Sequence, residues 1–224
     1  MVAQSGWLKG MNPTTSIIAK VVVLCVVIYA LISSQGWLPE AVAANTVFDA
    51  VRWWISSTLK WFYIGLVAFL LFFCIWIGIS KYGNIRLGDD DDRPEFSYFS
   101  WFSMLFGAGM GIGLMFWSIG EPMYHFANAG PDWNPHIAEG LSKEAATGAM
   151  TVTFFHWGLH PWAIYVVVAL TLAYFGYRRK EGLTISASLS PFTGSGVKSK
   201  WGHAVDVLAV FGTTFGVATS LGFG

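Results

Sequence analysis

Charge is what this sequence has least of: 12% of its 224 residues are Asp, Glu, Lys or Arg, against 54% hydrophobic. A soluble domain carries about 25% charged residues. A lipid-facing surface requires the deficit, because a charge in hydrocarbon costs several kcal/mol. A surplus of either sign is missing too. The 13 basic and 13 acidic side chains cancel, so nothing in the charge balance points to nucleic acid as a partner. Cysteine is nearly absent. Cys25 and Cys74 each lie inside an apolar run and read as small buried hydrophobes rather than a disulfide or metal pair. Aromatics, in contrast, are plentiful: 12 Trp and 18 Phe, rings that favour the bilayer interface.

A spanning helix needs roughly 20 mostly apolar residues. The apolar runs predict spans over residues 17–32, 62–79, 99–119 and 145–177, with a fifth beginning near residue 204. Lys20 lies near the start of the first, where its long side chain can snorkel to the interface. A cleaved leader ending at Ala41-Val42-Ala43 would exceed the usual length of about 15–30 residues, so the first run reads as a span. The fourth is interrupted by Pro161. The last, residues 205–224, is apolar and Gly-rich without a flank after it, which predicts a truncated chain, since a terminal carboxylate inside a bilayer is costly.

Counting loop Lys and Arg gives an orientation. Lys9, Lys20, Lys81, Arg86, Arg93, Arg178, Arg179, Lys180, Lys198 and Lys200 fall on one side, and Arg52, Lys60 and Lys143 on the other. The N-terminus is therefore expected in the cytoplasm. The run Asp89-Asp90-Asp91-Asp92 falls on that side as well. It lacks the alternating ligand spacing of a calcium loop and reads as a solvated turn.

Two segments carry chemistry. Gly107-Ala108-Gly109-Met110-Gly111-Ile112-Gly113 has glycine at every second position, at about 1 kcal/mol per Gly relative to Ala in a helix. Close packing through Gly107/Gly111 and Gly109/Gly113 is one explanation. Residues two apart on a helix differ by about 200° in direction, so one interface uses one pair, although two neighbours would use both. The other explanation is backbone left unwound at membrane depth, which is tolerated where it lines a cavity. Carbonyls there serve a cation, and N–H groups an anion.

The second segment runs from His156 through Trp157, His160, Pro161 and Trp162 to Tyr165. On an ideal helix Tyr165 stands about 80° from Trp157, and Trp162 about 140°; Pro161 alters those angles. Three rings facing one cavity would hold a quaternary ammonium group, which donates no hydrogen bond and binds to aromatic faces. Interface anchoring is the ordinary alternative. His156 and His160, spaced i and i+4, also allow axial haem ligation or a metal pair. No glutamate stands between them as a zinc protease helix needs.

The run from Gly107 to Trp117 with Glu121-Pro122, and the run Phe155-His156-Trp157-Gly158-Leu159-His160-Pro161-Trp162-Ala163-Ile164-Tyr165, together resemble the third and fourth helices of the betaine/carnitine/choline transporter family. Arg86-Leu87-Gly88-Asp89-Asp90-Asp91, Phe215-Gly216 and Ser220-Leu221-Gly222 fit as well, and the similarity covers essentially the whole chain in order. It implies an all-α polytopic membrane protein: a partial leucine-transporter-like inverted-repeat bundle with about four and a half of twelve helices present. Residues 1–97 would hold two extra N-terminal helices, and residues 98–224 the first part of the first five-helix repeat.

By the same resemblance Trp157, Trp162 and Tyr165 match three walls of an aromatic box around a trimethylammonium group. Ala108 and Met110 lie beside the substrate carboxylate, and carbonyls of Gly107 and Met110 match positions that contact sodium. Gly113 stands where choline-carrying, proton-coupled relatives have aspartate, which points to a betaine carrier. A threonine that helps hold a second sodium is replaced by Val217, with Thr213, Thr219 and Ser220 nearby; Thr213 is the candidate ligand.

The implied function is sodium-coupled import of glycine betaine or a related osmolyte across the inner membrane. The implied partners are the bilayer, a quaternary ammonium substrate and two further copies in a trimer. No enzyme activity is expected, and no cofactor beyond sodium as coupling ion. The rivals are a choline, carnitine, ectoine, proline or dimethylsulfoniopropionate carrier or exchanger of the same fold, and a haem-binding membrane redox protein using His156 and His160. The chain taken alone is expected to transport nothing, because half the site is absent.

Overall fold

The computed structural model describes residues 12–109, 111–128, 139–193 and 199–222, without the side chains of 108, 109, 112 and 193. Helix α1 (Pro13–Ser34) starts where Asn12 caps it, its side chain accepting from the N–H groups of Thr14 and Thr15, with Pro13 at the first position. That proline is harmless because the first helical N–H has no partner in the helix. Helix α2 (Ala44–Ile79) follows a short 3-10 turn, Glu40–Val42. Tyr29 of α1 donates to the Val42 carbonyl of that turn at 2.8 Å, and two contacts join the helices themselves: the Ala44 N–H donates to Ser33 Oγ at 2.8 Å, and the Tyr29 and Phe48 rings meet edge-on at 6.1 Å.

At 36 residues, α2 is about 54 Å long and begins well before the expected start at residue 62. Hydropathy marks where a helix is apolar, whereas helix formation needs only residues that tolerate it, and residues 44–61 contain neither Gly nor Pro. None of the apolar window of α2 is buried within the chain. Its aromatic and aliphatic surface, Trp53, Trp61, Phe69 and Phe72 included, faces outward. Cys25 is likewise exposed rather than buried, and both thiols are free.

The expected third span is not one helix. Helix α3 (Tyr98–Gly109) stops and α4 (Ile112–Ala127) restarts, with Gly111 in an extended conformation (φ −61°, ψ −178°) and no side-chain cap. The fourth expected span also divides, into α5 (Lys143–Trp157) and α6 (Leu159–Ala173). The break falls at Gly158 (φ −74°, ψ −144°) rather than at Pro161. Pro161 is the third residue of α6, where no intrahelical N–H bond is required. A Cβ at residue 158 would stand 2.6 Å from the Phe154 carbonyl oxygen, so this bend needs glycine. A π-turn, Tyr174–Arg178, continues α6, and after a 3-10 turn (Ile185–Leu189) and the short α7 (Ser190–Thr193) comes α8 (Lys200–Gly222).

Among the described residues, four helical stretches are long and apolar enough to cross a membrane: Pro13–Ser34, Ala44–Ile79, Lys143–Arg178 and Lys200–Gly222. The protein is an all-α, multi-pass membrane protein. By contact it divides into two compact units, Met1–Leu66 with Thr171–Phe215, and Val67–Leu170 with Gly216–Gly224. The acidic run lies in the second. It forms a tight turn in which the Asp89 N–H donates to Asp92 Oδ2 at 2.7 Å and the Arg86 guanidinium donates to the Asp90 and Asp92 carbonyls.

Candidate functional site

The second unit contains both helix breaks and all of the aromatic cluster. Its best-packed pair is α4 against α5. Helix α5 begins at Ser142, whose Oγ accepts from the Ala145 N–H at 3.0 Å, with Glu144 in the first turn. The acidic residue complements the helix dipole. Just before it, the Leu141 N–H donates to the Phe126 carbonyl at 2.9 Å and fastens the start of α5 to the end of α4. Ala145, Ala149 and Thr153, spaced four apart, are the buried residues of α5. Four-residue spacing keeps them on one face, and their small size lets the backbones approach.

At the far end of that face lies Glu121 of α4, a carboxylate only 6% exposed. Its Oε1 is 2.7 Å from His156 Nδ1 and 3.7 Å from His125 Nε2. Its Oε2 accepts from the Trp157 indole N–H. His125 Nδ1 is buried without a hydrogen-bond partner among the described residues, so the His125 ring meets a polar group through its other nitrogen alone.

The aromatic residues follow in sequence. Trp157 is the last residue of α5, and its carbonyl accepts from the Trp162 indole N–H at 3.2 Å across the break. The Trp162 ring in turn lies 5.7 Å from that of Tyr165, tilted by 41°. The structure thus brings Trp162 and Tyr165 together. Trp157 joins them through its backbone, while its indole edge turns to Glu121 and its ring faces His156 at 5.1 Å. Tyr165 is 69% exposed, so one side of this cluster is open within the chain.

His156 and His160 do not share a helix. The break at Gly158 removes the i, i+4 geometry that would aim both at one metal or haem. His156 is bound to Glu121, and His160 lies 5.2 Å from the Phe155 ring, tilted by 47°. No group of three His, Cys, Asp or Glu side chains suited to a metal ion occurs among the described residues.

The glycine segment coincides with the α3–α4 break. Gly107 lies in the last turn of α3, where carbonyls have no partner within the helix. A Cβ added at Gly107 or Gly113 would meet nothing within 4 Å among the described residues, so packing between those residues explains neither glycine. Met110 and the side chain of Ala108 lie outside the described residues. Thr213 is on α8, in the other unit. Sequence reasoning assigns no role to Glu121, which stands beside Pro122. A carboxylate within an otherwise apolar helix was the available signal.

Apolar membrane-crossing helices, one of them broken beside a cluster of aromatic rings, together with the interrupted α3–α4 pair, define a polytopic carrier-like membrane protein. The family model described as "BCCT, betaine/carnitine/choline family transporter" matches residues 14–224, and the chain belongs to that family. It is 43% identical over 221 residues to an uncharacterized transporter of Mycobacterium tuberculosis, covering 97% of this chain and 35% of that protein. It is 49% identical over 171 residues to a glycine betaine transporter of Acinetobacter baylyi, covering 76% of this chain and 25% of the relative. An osmo-dependent choline transporter of the same organism is 43% identical over 181 residues, 81% of this chain and 26% of the relative. The chain therefore spans about a third or less of the length of these relatives.

Proposed function

We propose that the protein carrying this chain imports glycine betaine, or a closely related quaternary ammonium osmolyte, by secondary transport driven by sodium. The observation that carries the reading is the Trp162–Tyr165 ring pair at the α5–α6 break, held to the Trp157 carbonyl by the Trp162 indole N–H. A trimethylammonium group offers no donor, so aromatic π-faces are its natural partners. The names of similar proteins support the same cargo class. The second element is the break between α3 and α4. Carbonyls freed at a discontinuous helix suit a desolvated cation, and N–H groups suit a carboxylate. Gly107 and Met110 would supply the first, and Ala108 and Met110 the second; Thr213, on α8, is assigned separately as a sodium ligand. Substrate and ion would then order the same stretch of backbone, which couples them.

Choline is the second cargo to weigh, since one similar protein is named for it. Gly113 favours betaine: an uncharged residue there leaves the substrate carboxylate unopposed. We further assign the N-terminus to the cytoplasm, the protein to the inner membrane, residues 1–97 to two accessory helices, residues 98–224 to the start of the first inverted repeat, and the working form to a trimer. Labelled glycine betaine uptake into cells expressing the whole protein tests the core of this. Uptake should require external sodium, vanish when N-methylglucamine replaces it, and be competed better by betaine than by choline, carnitine, ectoine, proline or dimethylsulfoniopropionate. Sodium-independent uptake overturns the coupling, and stronger competition by choline overturns the cargo.

A further inference from the structure

A carboxylate buried in an apolar helix is expensive, and an apolar residue of similar volume is often as stable or better. Glu121 therefore needs a reason beyond fastening α4 to α5. That joint is already made by the small face of Ala145, Ala149 and Thr153 and by the Leu141–Phe126 backbone bond. What Glu121 adds is specific. It holds the ring nitrogen of His156 and the indole N–H of Trp157, the last two residues before the Gly158 break. From that end the Trp157 carbonyl holds the Trp162 indole, and Trp162 sets its ring against Tyr165. One carboxylate thus stands at the root of a continuous chain: Glu121, Trp157, Trp162, Tyr165.

We propose that Glu121 is a positioning residue for the quaternary ammonium site, fixing the end of α5 so that the Trp157 carbonyl and the Trp162 ring stand in register with Tyr165. The inference rests on the substrate reading above. A hydrogen bond from an indole to a carboxylate is charge-assisted and directional. Its length matters more than its charge here, because the register is set by where the two oxygens lie. Shortening the side chain by one carbon withdraws both oxygens yet keeps the charge. Replacing carboxylate by carboxamide keeps the length and one acceptor yet removes the charge. Removing the indole N–H of Trp157 while keeping an aromatic ring breaks the same link from the other side.

The test measures betaine uptake by the whole protein with Glu121→Asp, Glu121→Gln, Trp157→Phe and the double variant Glu121→Asp/Trp157→Phe. Glu121→Asp and Trp157→Phe should each raise the half-saturation concentration about tenfold, the scale of one lost charge-assisted hydrogen bond. Maximal rate should stay within about twofold of wild type in Glu121→Asp, because the linkage sets affinity rather than the transport cycle. Glu121→Gln should stay within about threefold in half-saturation, and the double variant should be no worse than either single, as expected for two ends of one interaction. In parallel, the ultraviolet resonance Raman marker of indole N–H hydrogen bonding should lose its Trp157 contribution in Glu121→Asp as it does in Trp157→Phe.

Additive effects, a fall in maximal rate alone, or a harmful Gln beside a harmless Asp would each overturn the positioning role. An unchanged Raman marker in Glu121→Asp would overturn the hydrogen bond itself, whatever the protein transports. Wild-type protein that takes up no trimethylammonium compound would overturn the substrate reading instead, and with it the site that Glu121 is said to position.

Discussion

Among the described residues two carboxylates are buried, one in each unit, and their partners differ in kind. Asp206 of α8, 7% exposed, receives the backbone N–H of Ser186 at 2.9 Å on one oxygen and the Ser186 hydroxyl at 2.7 Å on the other. Ser186 is wholly buried, and Thr184 lies 3.0 Å from its hydroxyl and caps the same 3-10 turn by accepting from Ala187. Those are the partners of a cap: fixed donors that a loop would otherwise leave unpaired. Glu121 instead touches two histidines and a tryptophan, side chains able to turn or meet a ligand. Equal burial therefore says little about role; the partner set says more. Asp206 closes a loop, and Glu121 opens onto a site.

The sharpest way to break that division is Asp206→Ala. It leaves the buried Ser186 N–H without its acceptor, while the Ser186 hydroxyl can turn to Thr184, at a cost of about 1–3 kcal/mol. The thermal midpoint of the purified whole protein should fall clearly, while the half-saturation concentration of the surviving transporters stays put. A variant of wild-type stability with altered affinity would make Asp206 part of the site and dissolve the contrast.

In the unit with the breaks, Trp162→Leu should do the reverse. A desolvated cation–π face is worth about 2 kcal/mol, or about thirtyfold in half-saturation, with the thermal midpoint little moved. Unchanged uptake kinetics would remove the ring pair from the ligand. Gly113→Asp is smaller and more selective. Among the described residues no neighbour within 4 Å opposes a side chain there, and a carboxylate repels the carboxylate of betaine but not the uncharged hydroxyl of choline. The ratio of choline to betaine uptake should rise about tenfold, equivalent to roughly 1.4 kcal/mol. A ratio that does not move would detach Gly113 from cargo choice.

Much of this was legible in the residues, and the rest was hidden for identifiable reasons. The α3–α4 break could be foreseen, because alternating glycine weakens a helix wherever it stands. The α5–α6 break was anticipated at Pro161 and lies three residues earlier. Proline marks where an N–H is missing, and the first turn of a new helix tolerates that; Gly158 is where the backbone passes too near Phe154 for any side chain. The early start of α2 was missed because residues 44–61 form helix without being apolar enough to register as a span. Asp206 and Glu121 were visible as lone carboxylates in apolar runs. Their partners were not, since Ser186 is 20 residues from Asp206 and His156 is 35 from Glu121. Sequence separation hides contacts that only packing creates.

A third carboxylate gives the comparison its mildest trial. Glu181, in the basic loop after α6, is drawn below its ordinary value near 4.5, first by a hydrogen bond with Ser190, then by Arg179, whose Nε lies 3.2 Å away, with desolvation opposing. Its partners are a hydroxyl and a fixed cation, so by the same reasoning it belongs with Asp206 as a loop fastener. The sign follows from linkage: a group that ionises more readily when folded contributes in full above its unfolded value and loses that contribution as pH falls through the lower folded one. Amide exchange in residues 179–190, corrected for intrinsic rates, should therefore be steady from neutrality down to about pH 4.5 and accelerate below it. In Glu181→Gln the acceleration should be absent, and betaine affinity should match wild type throughout. An affinity that follows the titration of Glu181 would show that partner chemistry alone does not separate the carboxylates that fasten from those that position.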